Sequence, residues 1–115
     1  MKAKIIILFL FVSIVTFSLT GCATSIYGWE GYPDQIYANL RGDVSLESQL
    51  QALEKDLQKI LSKNKKVPPG LYAHIGMLQA EVGNRDRARE CFNEEKNLFP
   101  ESAVFMDRLL SRLGR

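Results

Sequence analysis

From Leu46 to Leu113 apolar residues recur at spacings of three and four, interrupted only at Pro68-Pro69-Gly70, Gly83-Asn84 and Pro100. That rhythm places apolar side chains on one face of successive helices and suits no strand. Leu46, Leu50, Leu53, Leu57 and Ile60 with Leu61 mark the first long helix. Ser45 stands where a cap belongs, and Lys63, Lys65 and Lys66 crowd the C-terminal end, where cations complement the helix dipole. Leu71, Ile75, Leu78 and Val82 mark a second helix; Ala88, Cys91, Phe92, Leu98 and Phe99 mark a third, ended by Pro100. Gly83-Asn84 is too short a link to leave these two anything but antiparallel. Ser102 opens a last helix bearing Val104, Phe105, Met106, Leu109, Leu110 and Leu113, and a shorter one is expected over Asp34 to Arg41, before the turn Gly42-Asp43. The fold class expected is all-α: antiparallel helical hairpins over residues 34–115.

The hairpin of residues 69–102 resembles the tetratricopeptide repeat, whose unit carries an aromatic, a large apolar residue followed by glycine, a later Ala and Phe, and a closing Pro. Here Tyr72, Ile75-Gly76, Ala88, Phe92 and Pro100 fill those slots. Gly76 and Ala88 are expected where the two helices come closest, with Tyr72 and Phe92 filling the space beside them. Gln79 and Glu95 depart from the pattern, standing where a tyrosine and a small residue are usual. The resemblance implies one divergent unit, with the helices of residues 34–64 and a C-terminal capping helix as neighbours, because a single repeat cannot bury its own apolar faces.

The first residues have a different character. Lys2 and Lys4 precede an apolar run, Ile5 to Leu19, which is shorter than the ~20 residues a spanning helix needs. It ends in Thr20-Gly21-Cys22, and Leu19-Thr20-Gly21-Cys22 resembles the lipobox of bacterial lipoproteins. Residues 1–21 are thus expected to be a cleaved signal peptide, Cys22 the site of lipidation, and residues 22–33 an aromatic-rich tether. Ala23 after the cysteine implies, by resemblance to known sorting, the outer membrane, with the domain facing the periplasm. Removing the signal also removes two lysines and no acid, so the surplus of 15 basic over 13 acidic residues disappears. No basic field remains for nucleic acid.

Candidates for chemistry are few. His74 is the one histidine, expected on the solvated face of its helix away from Leu71, Ile75 and Leu78. No acid or nucleophile is spaced to work with it, and one histidine with one unmodified cysteine makes no zinc site. Cys91 is expected to be a small buried hydrophobe, the alternative being an intermolecular disulfide. Glu94 and Glu95 are neighbours on a helix, about 100° apart, so they cannot face one sugar as a glycosidase pair, and surface charge is expected of them. No cofactor is expected beyond the covalent lipid on Cys22, and no metal, catalytic residue or small-molecule substrate.

Tyr27, Trp29, Tyr32 and Tyr37 crowd together just after the anchor. Such rings suit a core edge, a membrane interface or a protein contact; a contact with a partner protein is expected. The run Tyr27-Gly28-Trp29-Glu30-Gly31-Tyr32, followed by Asp34-Gln35-Ile36-Tyr37, resembles the opening motif of the family called domain of unknown function 4810, small lipoproteins with this signal, motif and helical repeat. The resemblance implies a setting beside a lipoprotein similar to the curli secretion channel, and hence a multi-lipoprotein assembly. The function expected is that of a protein-binding accessory subunit and not an enzyme. The alternatives are an activator of cell-wall hydrolases and a lipid-handling or structural envelope protein.

Overall fold

Every segment with a three-and-four rhythm is helical in the computed structural model, which describes residues 1–17 and 25–114, with backbone alone for 14–17. The helices are α1 (Lys2–Phe17), α2 (Tyr32–Arg41), α3 (Leu46–Ser62), α4 (Leu71–Glu81), α5 (Arg85–Leu98) and α6 (Ala103–Leu113), with a 3-10 turn at Pro100–Ser102 before the last. The chain is all-α. Cys22 and the rest of the lipobox lie outside the described residues. Among those described, no helix is long and apolar enough to cross a membrane.

Local chemistry sets the boundaries. Ser45 caps α3 by accepting the backbone N–H of Ser48 at 3.3 Å, and Asn84 caps α5 by accepting that of Arg87. Gly83, at φ 87°, makes the sharp turn between α4 and α5 that a side chain would oppose. α2 begins at Tyr32, earlier than expected, because Pro33 suits the first turn, where its missing N–H has no partner to lose. Ser102 precedes α6 without capping it; its hydroxyl donates to the Phe99 carbonyl at 2.7 Å instead.

Packing follows chain order: α2 on α3, α3 on α4, α4 on α5, α5 on α6. Leu53, Leu57 and Ile60 of α3 join Tyr32, Val67, Leu71, Ile75, Leu78 and Cys91 in one core. On the other side of α4 and α5, Ala73, Ala88 and Phe92 meet Met106, with Leu109, Leu110 and Leu113 half-buried around it. The α3 stripe is shorter than its sequence pattern, for Leu46 and Leu61 at its ends are exposed.

The segment expected as an irregular tether is built into the fold from Tyr27 on. The Gly28 N–H donates to the Lys66 carbonyl at 2.8 Å, and Tyr27 pairs with Lys66 in a single parallel bridge. A Cβ on Gly28 would stand 2.9 Å from Ile60 Cγ1, so only glycine lets the backbone lie this close to α3. Glu30 follows at φ 40°, its carboxylate held by Lys59 at 2.8 Å and Lys63 at 2.9 Å. These two ammonium groups bring its pKa down to about 2.

Candidate functional site

α4 is apolar almost all round, which places it at the centre, and its two sides are packed differently. Toward α5 the contact is dry and tight. A Cβ on Gly76 would stand 2.6 Å from Phe92 Cε1 and 3.2 Å from Cys91 Cβ, so the glycine is what admits the Phe92 ring. Ile75, Ala88 and Phe92 are buried and Tyr72 is half-buried, while Pro100 opens the 3-10 turn after α5 from an exposed position. Cys91 is fully buried, and burial pushes its thiol up to about 11, which leaves it a packing residue.

Glu95 corrects the expectation of surface charge. Glu94 is exposed, but Glu95 is buried, with Oε1 accepting the Gly70 N–H at 2.7 Å and Oε2 the Ala73 N–H at 3.3 Å. The N-cap of α4 is Gly70, which has no side chain, so the capping group arrives from α5 across the hairpin. Burial raises the Glu95 pKa while the backbone N–H groups pull the other way. The repeat-like slot holds a long residue because this one reaches the helix end.

Toward α2, beside the apolar contact of α3 with α4, polar groups meet. His74 is buried here, against expectation, beside the Tyr32 ring with 5.9 Å between ring centroids. Gln49, also buried, donates from Nε2 to the Gln35 carbonyl at 2.8 Å. Its Oε1 accepts from Asn39 Nδ2 at 2.7 Å, and the same nitrogen lies 3.4 Å from His74 Nε2. Asn39 Nδ2 has a second hydrogen to give, so Nε2 is the acceptor and the neutral ring carries its proton on Nδ1. That Nδ1 is buried, and among the described residues it has no hydrogen-bond partner. Burial lowers the His74 pKa, with Glu81 opposing, so the ring is neutral at pH 7.

Next to this network lies an open groove of about 350 Å³, lined by Tyr32, Ile36, Asn39, Leu40, His74 and Met77 among others. Leu40 is 80% exposed, and Ile36 and Met77 are exposed beside it. The arrangement suits an apolar group. Among the described residues that line it there is no acid.

The four aromatics divide. Tyr32 is 4% exposed and belongs to the core, which corrects its expected role as a contact residue. Trp29 stacks on it at 6.4 Å and remains 41% exposed; Tyr37 is 63% exposed under the Arg41 guanidinium. Tyr27 meets Trp29 edge-on and the Phe99 ring at 6.4 Å. Tyr27 also lines a second groove, of about 520 Å³, together with Leu61, Lys65, Lys66, Leu98 and Phe99.

Sequence reasoning missed Gln49, His74 and Glu95 as buried groups, and the Asn39 contact that joins two of them. One signal was present for Gln49 and Glu95, which fall on the apolar stripes of α3 and α5, four residues before Leu53 and four after Cys91.

The family model described as domain of unknown function (DUF4810) matches residues 26–109, which takes in the aromatic segment, both grooves and most of α6. No curated protein and no solved structure matches the chain.

Proposed function

We propose that this chain, which belongs to the family of domain of unknown function DUF4810, is an outer-membrane lipoprotein that binds other envelope lipoproteins through the groove between α2 and α4. One observation carries the reading: an open groove whose rim is formed by the exposed apolar side chains of Ile36, Leu40 and Met77. A partner's apolar side chain seated there would take this surface out of water. Repeat-like helical domains act by surface, and we take the α4–α5 hairpin as one tetratricopeptide-like unit, a reading supported by the Gly76–Phe92 approach. The core is filled and the groove lies outside it, which favours partner binding over lipid carriage.

The partner is sought among envelope lipoproteins, with one similar to the curli secretion channel as the first candidate. Leu40→Asp on the exposed rim is expected to lower recovery of the cross-linked partner from envelopes at least about tenfold, since it places a charge where an apolar contact forms. The melting temperature should stay within a degree or two, as for other surface changes. Unchanged recovery would remove the groove from the binding surface.

A further inference from the structure

A second surface is built differently from the α2–α4 groove, and its composition fits lipid headgroups rather than protein. Its parts come from four places in the chain: Tyr27 from the N-terminal segment, Leu61 from α3, Lys65 and Lys66 from the loop after it, and Leu98 from α5. Leu61 and Leu98 are exposed at 44% and 48%, and Ile26 beside Tyr27 is exposed as well. Lys65 and Lys66 are exposed and enter none of the ion pairs formed among the described residues. Lys59 and Lys63 stand close by on Glu30, and Glu94 is the one acid lining the groove. Cations thus outnumber acids around exposed apolar side chains and two half-exposed aromatic rings, the mixture found where proteins meet a bilayer surface.

The position of this surface is fixed. Tyr27 and Gly28 are tied to Lys66 by backbone pairing, which sets the start of the domain beside the lysine loop. Cys22 precedes Tyr27 by five residues, a reach of ~18 Å at full extension. A lipid on Cys22 therefore holds this face within ~18 Å of the membrane surface.

We infer that the face formed by Tyr27, Trp29, Leu61, Lys65, Lys66 and Leu98 docks on anionic phospholipid headgroups of the membrane that carries the anchor. The inference rests on the lipoprotein reading above. Docking sets the orientation of the domain: the lysines lie on headgroup phosphates, the leucines and rings sit at the interface, and the α2–α4 groove remains free for a protein.

Trp29 is the only tryptophan and stands next to Tyr27, so it reports docking without a label. The purified full-length product is first weighed by mass spectrometry for acylation at Cys22, then reconstituted in phosphatidylcholine vesicles with or without phosphatidylglycerol and with brominated lipid as quencher. Quenching of Trp29 is expected to rise with phosphatidylglycerol and to fall with added salt. The double variant Lys65→Gln with Lys66→Gln should lower the docked-to-undocked ratio roughly thirtyfold, and the charge-matched pair Arg108→Gln with Arg112→Gln on α6 should leave it unchanged. Absence of acylation overturns the lipoprotein reading and this inference together. Acylated protein whose Trp29 quenching ignores phosphatidylglycerol, or is lost equally in the control pair, overturns the docking inference alone. Normal vesicle docking by the lysine variant with loss of a cross-linked envelope protein would assign the face to a protein.

Discussion

The two sides of α4 show how differently one helix can be used. Toward α5 there is no spare volume: Gly76 admits Phe92, Cys91 closes the gap, and Glu95 satisfies the helix end. Toward α2 there is a network of amides, one donor without an acceptor and an open groove. The first side has everything it needs for folding and nothing left over for a ligand. The second leaves one buried ring nitrogen unpaired and apolar side chains exposed beside it.

The contrast breaks most directly at Gly76. Gly76→Leu should cost about 1–3 kcal/mol, the usual result of overpacking, and lower the melting temperature by roughly 4 °C or more in a domain of this size. A thermal melt indistinguishable from the parent would mean that the α4–α5 side is as yielding as the α2 side. A smaller loss, about 1–2 kcal/mol, is expected for Glu95→Ala, which leaves the Gly70 and Ala73 N–H groups buried and unpaired. Denaturant midpoints compare the two variants, and a neutral result would show that water replaces the carboxylate.

The smallest effect sharpens the polar side. His74 has a folded pKa below its ordinary value of 6.5, so below pH 6.5 the unfolded chain takes up a proton that the folded chain resists. Its contribution therefore turns against folding as pH falls from 6.5, and is absent above it. His74→Leu should be close to neutral in stability at pH 7.5 and should gain on the parent as the buffer is taken from pH 6.5 to 5. The difference between the two melting curves isolates His74 from Glu95, whose raised pKa acts in the opposite direction. A difference that does not change with pH would place the imidazole in solvent.

Much of the fold was legible because apolar periodicity reports which face of a helix is covered. The stripe of α3, the Ser45 cap and the glycine turn between α4 and α5 all follow from residue types that have few alternatives. Periodicity is blind to polar groups that share a covered face. Gln49 and Glu95 occupy apolar registers, and a sequence reading treats them as gaps, whereas the structure pairs each with backbone groups of another helix. His74 failed for a related reason. Apolar residues stand on either side of His74 in register, Ala73 before it and Met77 after it, a sign that α4 turns no wholly polar face outward. The grooves were beyond reach, since a concavity depends on how far apart two helices sit and no single segment encodes that distance.

The backbone tie from Gly28 to Lys66 has a consequence for the order of events in folding. Each helix packs on the next in the chain, so most of the structure requires only short loops to close and should form rapidly. The tie closes over the whole of α2 and α3, and it combines one peptide hydrogen bond, two lysine contacts to Glu30, the edge of Ile60 and the rings of Tyr27 and Trp29 against Phe99 and Tyr32. Its partners on α2, α3 and the lysine loop must be in place before it can form. The N-terminal clasp thus closes last, on a body that is already folded.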